Sequence, residues 1–250
     1  MEAAVKTHVG LIREINEDRA GVFRREDGPM LAAVADGMGG HQAGEVASQM
    51  ALNTLDELFR KVNPFPNENG WKAWLEESIQ IANQAIFSYA RQHPNHYGMG
   101  TTLVAALFLE SCYLIAHVGD SRAYRLLNGQ LQKLTDDHSL VNELVRYGQL
   151  APEDAETHPQ RNVITRALGT EEKVQVDLDR LSYVGGEQIM LCSDGLSSAV
   201  PDIEIEKILS GKETLDIKAT RLLQAALDAG GDDNITLVLI GTPIEASGKK

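Results

Sequence analysis

The stretch that decides the fold is residues 103–134, LVAALFLESCYLIAHVGDSRAYRLLNGQLQKL. Its three apolar runs, 103–109, 113–118 and 123–126, have the composition of β-strands. Asn128-Gly129 then supplies the two-residue turn that is typical of a β-hairpin, and a further short strand follows it. The stretch therefore predicts an antiparallel meander in the middle of the chain.

Helical patterns lie before this meander. Apolar residues recur every three to five positions from Val46 to Val62, and a second apolar face runs from Trp71 to Tyr89. A break rich in Pro, Asn and Gly at 63–70 separates the two segments. The sequence therefore predicts two consecutive amphipathic helices that each bury one face.

Outside these segments, strands and helices again come in groups. The remaining predicted strands are 22–24, 30–35, 131–134, 174–181, 188–192 and 235–240, and the remaining predicted helices are 140–147, 151–157, 202–209 and 215–229. Strands in runs with helices between the runs indicate an α+β fold with a mostly antiparallel sheet, whereas regular alternation would indicate parallel β-α-β units.

Length and composition indicate one globular domain. The 250 residues are 43% hydrophobic and 24% charged, which argues against a disordered, collagen-like or coiled-coil chain. We expect a single domain over 1–242 and a short flexible tail at 243–250. The formal charge of −13 argues against a nucleic-acid partner, because such proteins use Lys and Arg to neutralise phosphates.

Nothing in the sequence predicts export or membrane insertion. The first thirty residues carry charges throughout and lack the apolar core of a signal peptide. The best apolar stretches, 103–109 and 235–240, are far too short to span a bilayer. Cys112 and Cys192 lie in apolar runs without metal or redox spacing, which favours buried thiols in a reducing compartment. We therefore expect a cytoplasmic protein.

Aspartates repeatedly stand at the ends of apolar strands. Strand ends are rigid, so carboxylates placed there can be held close together despite their repulsion, and a neighbouring glycine lets the backbone approach. Several carboxylates without His or Cys form a hard oxygen site, which suits Mg²⁺ or Mn²⁺ better than Zn²⁺. The aspartates are Asp36 after 31–35, Asp120 after 114–118, Asp194 after 189–192, and Asp232 and Asp233 before 235–240.

Three other patterns are weaker. Gly37-Met-Gly-Gly40 precedes a helix but matches neither phosphate-binding glycine motif. Gly119-Asp120-Ser121 is similar to the nucleophile block of some serine esterases, but the sequence lacks the elbow and the late histidine base that such a serine needs. His93-x-x-His96 has a metal-like spacing, but it lies in a loop beside no other ligand.

Eight short motifs occur in a fixed order over residues 5 to 241. They resemble the metal-dependent serine/threonine protein phosphatases of the PPM (type 2C) family, in the compact bacterial form. The motifs are Arg13-x-x-Asn16-Glu17-Asp18, Asp36-Gly-Met-Gly-Gly-His41-x-Ala-Gly-Glu45, Gly98-Met-Gly-Thr101-Thr102, His117-Val-Gly-Asp120-Ser121-Arg122, Thr135-Asp-Asp-His138-Ser139, Ile164-Thr-Arg-Ala-Leu-Gly169, Cys192-Ser-Asp194-Gly195 and Gly231-Asp-Asp233-Asn234.

This resemblance implies a four-layer αββα sandwich, with two mostly antiparallel sheets flanked by helix pairs and a flap at about 136–169. It also implies two core Mn²⁺ or Mg²⁺ ions and a weaker third. By the resemblance, Asp36 bridges the two core ions, Asp194 and Asp233 complete the first, and the carbonyl of Gly37 serves the second. Asp18 and Glu17 hold metal-bound water, and Asp120 joins Asp194 at the third ion.

The resemblance further implies the reaction: metal-activated water hydrolyses phosphoserine and phosphothreonine in proteins, opposing a serine/threonine kinase in bacterial signalling. Arg13 is the expected phosphate-binding residue, because its planar fork matches two phosphate oxygens. The leaving alkoxide is very basic and requires a general acid, for which His41 is the candidate and His138 the next one. We expect a monomer.

Three alternatives stay open at this point. The first is an inactive relative that only binds phosphoproteins, although each of the metal aspartates is present. The second is a hydrolase of small phosphoesters that uses the same centre, since the flap and surface determine the substrate. The third is a serine esterase that uses Ser121.

Overall fold

The computed structural model describes residues 1–26, 28–40, 42–155 and 157–242. Over these residues the chain forms strands and α-helices in the expected groups. The strands are β1 (Glu2–His8), β2 (Asp18–Arg24), β3 (Met30–Met38), β4 (Gly100–Thr101), β5 (Leu103–Phe108), β6 (Cys112–Val118), β7 (Arg122–Leu127), β8 (Gln130–Lys133), β9 (Asp177–Ser182), β10 (Gln188–Cys192) and β11 (Ile235–Gly241). The helices are α1 (Ala43–Lys61), α2 (Glu68–Gln92), α3 (Leu140–Arg146), α4 (Pro152–Ala155), α5 (Asp194–Ser197), α6 (Asp202–Leu209) and α7 (Leu215–Asp228).

The strands form two antiparallel sheets. The first has the order β1-β11-β10-β7-β8, and the second has the order β2-β3-β5-β6-β9 with β4 paired to β3. The prediction of one continuous meander is wrong: β5 pairs with β6 in the second sheet and β7 pairs with β8 in the first, so the chain changes sheets between β6 and β7. The hairpin between β7 and β8 turns at Asn128 and Gly129, whose φ angles of 52° and 79° are those a tight primed turn requires.

Three layers of apolar side chains separate four layers of secondary structure. The period of two in β3 sends Leu31, Ala33 and Ala35 toward α1 and α2, and sends Ala32 and Val34 into the space between the sheets. On the far side, the first sheet buries residues such as Leu237 and Leu239 against α6 and α7. The α+β class and the αββα sandwich are therefore confirmed.

The structure adds one strand to the predicted elements and moves the bounds of several others. Strand β1 was not predicted, and β2 begins at Asp18, four residues before the predicted strand 22–24. Helix α2 begins at Glu68, inside the predicted break, because the side chain of Asn67 caps it by accepting a hydrogen bond from the Gly70 N–H. Strand β9 begins at Asp177, three residues later than predicted.

Two further expectations concern the segments outside the sheets. Within the predicted flap, 136–169, the described residues form α3 and α4, and the two ends of the segment meet where Thr165 N donates to His138 O at 2.8 Å. The predicted tail, 243–250, lies outside the described residues. None of the helices in the described part of the chain is both long and apolar enough to cross a membrane.

Candidate metal centre and active site

Five strands bring carboxylates to one end of the sandwich. Asp36 lies in β3 directly opposite Asp18 of β2 in the antiparallel register. Asp194 opens α5 immediately after β10, and Asp233 lies two residues before β11. Asp120 follows β6. The two sheets thus place all five side chains around one point, as the sequence predicted for four of them from their strand ends.

The electrostatics of this cluster show how close the carboxylates lie. Burial, followed by repulsion from Asp18, Asp194, Asp120 and Asp233, holds the pKa of Asp36 well above its ordinary value. Burial likewise raises the pKa of Asp18 to about 7, against a hydrogen bond from the Ser193 side chain that lowers it.

The pKa values of Asp120 and Asp194 are shifted in the same direction. Burial raises the pKa of Asp120 to about 7, with repulsion from Asp194 and Asp137 added to it. Burial, followed by repulsion from Asp233, also raises the pKa of Asp194. Since each carboxylate raises the proton affinity of the next, the cluster needs positive charge.

Two oxygens in this cluster are buried without a hydrogen-bond partner in the described part of the chain: Oδ1 of Asp18 and Oδ1 of Asp120. Buried polar atoms are normally paired, so two such orphans in a set of hard oxygen ligands fit a divalent cation. Only glycine fits at position 37, where β3 packs against the start of α1, because a Cβ there would lie 2.0 Å from the carbonyl oxygen of Gly44. The donor set therefore suits Mg²⁺ or Mn²⁺.

The backbone of Asp36 is fixed by the two threonines of the Gly98–Thr102 motif. Thr102 N and Thr101 Oγ1 both donate to the carbonyl oxygen of Asp36 at 2.8 Å. Asp36 N donates in turn to Thr102 Oγ1 at 3.0 Å, and that oxygen lies 2.7 Å from Ser121 Oγ. Ser121 is 1% exposed and belongs to this buried chain of hydroxyls, which speaks against its use as an esterase nucleophile.

Asn234 fixes the loop that carries Arg13. Its Oδ1 accepts a hydrogen bond from Glu17 N at 2.7 Å, and its Nδ2 donates to the carbonyl oxygens of Val9 at 2.8 Å and Ile15 at 2.9 Å. Asn234 follows Asp233 in the chain, and its side-chain amide therefore binds both ends of the loop next to Asp233. Sequence reasoning quoted this asparagine in a motif but did not give it a role.

Arg13 and Glu17 lie at the rim of the carboxylate cluster. Arg13 Nη2 donates to Asp233 Oδ2 at 2.9 Å, and the arginine side chain is 52% exposed. Glu17 Oε1 accepts a hydrogen bond from Gly44 N at 3.1 Å in the first turn of α1, whose N-cap residue, Gln42, makes no side-chain cap. Burial raises the pKa of Glu17. Its carboxylate thus caps α1, and its role in holding water stays a prediction.

The structure describes one of the two candidates for the general acid. His41 lies outside the described residues. His138 is 7% exposed, and its Nδ1 accepts a hydrogen bond from Gly119 N at 3.0 Å. Burial, then the neighbouring His117 and Arg166, lowers the pKa of His138 to about 4. A neutral, buried imidazole beside the backbone of Gly119 is a support for the Asp120 loop and a poor proton donor.

A second cluster of metal-ligating types surrounds His138. The rings of His117 and His138 stack with centroids 4.6 Å apart, and Asp177 Oδ2 lies 3.5 Å from His138 Nε2. Arg166 Nη1, however, lies 2.7 Å from Asp177 Oδ1 and 3.0 Å from His138 Nε2. The guanidinium already supplies the positive charge at this place.

A cavity of about 800 Å³ lies between the carboxylate cluster and the flap. Asp120 and Asp194 line its floor, and Asn142 and Arg161 belong to its flap side. Arg122 also lines it and is held by Asp137, whose Oδ2 accepts from Nη2 at 2.7 Å. The cavity is large enough for several residues of an extended chain that ends at the cluster.

Comparison with known proteins agrees with this geometry. The family profile described as protein phosphatase 2C matches residues 13–235. The chain is similar to the serine/threonine phosphatase stp of Listeria monocytogenes, with 44% identity over 249 residues that cover 100% of this chain and 99% of the relative.

Two solved structures share the fold. The serine/threonine phosphatase Stp1 from Staphylococcus aureus has a TM-score of 0.91 and 40% identity, covering 96% of this chain and 94% of its own. The catalytic domain of the serine/threonine protein phosphatase PstP, in complex with two manganese ions, has a TM-score of 0.85 and 37% identity, covering 98% of both chains. With its fold, carboxylate cluster and full-length similarity, the chain belongs to the protein phosphatase 2C (PPM) family of metal-dependent phosphatases.

Proposed function

We propose that this protein hydrolyses phosphoserine and phosphothreonine residues of bacterial proteins with the help of divalent cations held by the strand-end aspartates. The observation that carries the proposal is the cluster of five carboxylates beside the guanidinium of Arg13. Two of its oxygens are orphaned, and the pKa values of Asp18, Asp36, Asp120 and Asp194 are raised. Relatives named serine/threonine phosphatases match this chain over nearly their full length, which supports the substrate class.

The roles proposed for the residues that would hold two core ions are those that the family resemblance implies. Asp36 would be shared by the two ions, Asp194 and Asp233 would complete the first site, and the carbonyl of Gly37 would serve the second. Asp18 and Glu17 would contribute through water, and Asp120 with Asp194 would offer a third, weaker site. The manganese pair in the PstP structure supports the number of core ions. When bound, such ions supply a nucleophile near neutral pH and stabilise charge on a transferring phosphoryl group.

The chain itself must bind the phosphate and protonate the leaving group. Arg13 uses one Nη to hold Asp233, which leaves further donors of its fork for phosphate oxygens. This positive charge is needed because the protein carries a formal charge of −13 and would otherwise repel an anionic substrate. His41 is the proposed proton donor to the serine or threonine oxygen. The protein thereby opposes a serine/threonine kinase, and its action as a cytoplasmic monomer stays a prediction.

The test is hydrolysis of a phosphothreonine peptide by the purified chain with EDTA, Mn²⁺ or Mg²⁺. We expect no turnover in EDTA, recovery with either ion, and loss of recovery in Asp36→Asn. Asp179→Asn, which removes an exposed carboxylate of β9 outside the cluster, is the matched control and should behave as wild type. Full turnover without metal would refute the proposal, and turnover of small phosphoesters alone would favour the metabolite hydrolase.

A further inference from the structure

Residues 9–17, here called the arginine loop, are held rigidly at the rim of the carboxylate cluster. Besides the three hydrogen bonds in which the Asn234 side chain takes part, Leu11 N donates to the carbonyl oxygen of Gly231 at 2.7 Å. At Gly10, whose φ is +86°, a Cβ would lie 2.2 Å from the carbonyl oxygen of Asp233. The backbone of the loop therefore lies directly on the backbone of a metal-ligand candidate.

This fixed loop exposes large apolar side chains. Leu11 is 63% exposed, Ile12 68% and Ile15 37%. Single exposed apolar residues are ordinary, but three within five residues, next to the functional arginine, form a local apolar surface. Because Leu11 and Ile12 are mostly exposed, they contribute little hydrophobic stabilisation to the fold, and we look for a role in binding.

We propose that Leu11 and Ile12 form a substrate-contact surface that favours phosphoproteins with an apolar side chain next to the phosphorylated residue. The proposal rests on the proposed function, because the phosphate must lie at Arg13 for the contact to form. Ile12 adjoins Arg13 in the chain, and adjacent residues of an extended substrate lie about 3.8 Å apart. The proposal therefore places an apolar side chain one or two residues from the phosphate on this surface.

The geometry favours this occupant over other partners. Arg13, on the same loop, holds Asp233 at 2.9 Å, so the apolar surface and the phosphate-binding group move as one unit. A loop already fixed by hydrogen bonds loses little conformational freedom when it binds an extended chain.

The test compares two phosphothreonine peptides of equal length and charge, with either Leu or Ser at the two positions on each side of the phosphothreonine. The enzyme is the Mn²⁺-loaded full chain as wild type, as the double variant Leu11→Ser/Ile12→Ser, and as the control Ile217→Ser. Ile217 is 48% exposed near the start of α7, whose first residue, Leu215, packs at Gly241 at the opposite end of β11. The small substrate para-nitrophenyl phosphate reports the chemistry without peptide contacts.

We expect wild type and Ile217→Ser to prefer the Leu peptide. The double variant should raise KM for that peptide by roughly 3- to 10-fold. This is at or below the smallest discrimination, about 10-fold, that one apolar group gives in an enclosed pocket, because the surface is open. Its kinetics on the Ser peptide and on para-nitrophenyl phosphate should change less than about 2-fold. Equal losses on all three substrates, or no preference in wild type, would overturn the proposal. If wild type cleaved only para-nitrophenyl phosphate, the proposed protein substrate would be wrong, and this inference with it.

Discussion

The charge of the carboxylate cluster predicts that removing one buried carboxylate stabilises the metal-free protein. Asp18 is the best position for the test, because it is 1% exposed and its Oδ2 accepts from Ser193 Oγ at 2.7 Å while Oδ1 is orphaned. Asp18→Asn keeps the shape and the acceptor for Ser193, and it places an amide where the orphaned oxygen lies. It removes one negative charge from the neighbourhood of Asp36, Asp194 and Asp233.

The magnitude follows from proton linkage. The pKa of Asp18 is raised from 3.8 to about 7, so the folded state binds this proton more tightly than the unfolded state. The stabilisation from this group is complete below about pH 4 and is lost as the pH rises through 7. At about 1.36 kcal/mol per pH unit, the full loss is about 4 kcal/mol. Because burial of the replacing amide offsets part of this gain, we expect Asp18→Asn to recover roughly 2–4 kcal/mol at pH 8.

The assay is thermal and urea unfolding in EDTA at several pH values from 4.5 to 8. For a chain of this length, each kcal/mol moves Tm by roughly 2–4 °C, so the variant should melt about 4–16 °C above wild type at pH 8. The gap should narrow toward pH 4.5, and Mn²⁺ should also narrow it by neutralising the wild-type cluster. A variant that is less stable at pH 8, or a gap independent of pH, would refute the reasoning. Asp179→Asn again serves as the control.

Four other substitutions test individual roles. Asp194→Ala should lower kcat by orders of magnitude and leave the far-ultraviolet circular dichroism unchanged; near-normal turnover would exclude it as a ligand. Ser121→Ala should retain phosphopeptide turnover within a few-fold and lose about 1 kcal/mol in urea unfolding, since it breaks a hydroxyl pair; a collapse of activity in the folded variant would revive the esterase alternative. Arg13→Ala should chiefly raise KM for phosphopeptides in steady-state kinetics. His41→Ala should cost roughly 10²–10⁴ in kcat on phosphopeptides but much less on para-nitrophenyl phosphate, whose leaving group needs no proton; equal losses would exclude it as the acid.

Elements with a strong local signal were predicted with accurate bounds. Strand β10, Gln188–Cys192, and helix α6, Asp202–Leu209, match their predictions residue for residue. Strand β1, Glu2–His8, had no such signal, because Ala4 is its only buried residue. Its place is determined by pairing with β11, more than two hundred residues away, so no local window of sequence contains the information.

Some residues of the candidate site could likewise be identified from the local sequence, and others could not. Aspartates at strand ends can be recognised from the sequence, because an apolar run followed by Asp-Gly has a chemical reason and a visible boundary. Thr101, Thr102 and Asn234 could not be recognised, since each acts by bonding backbone groups of a distant segment. Such polar side chains have no spacing rule. Their only sequence signal was that they lie in motifs shared with the family.

These neutral residues hold the carboxylates in place against their mutual repulsion. The carboxylates repel one another, so electrostatics alone would open the cluster when the ions leave. Repulsion is opposed by backbone anchors that carry no charge: two threonines hold Asp36, and one asparagine holds the loop of Arg13 beside Asp233. Because the anchors are neutral, they neither neutralise the ligands nor compete with a cation for them. The protein thus keeps a concentrated negative charge in a fixed geometry, which is the condition for binding divalent ions with water still exchangeable at the site.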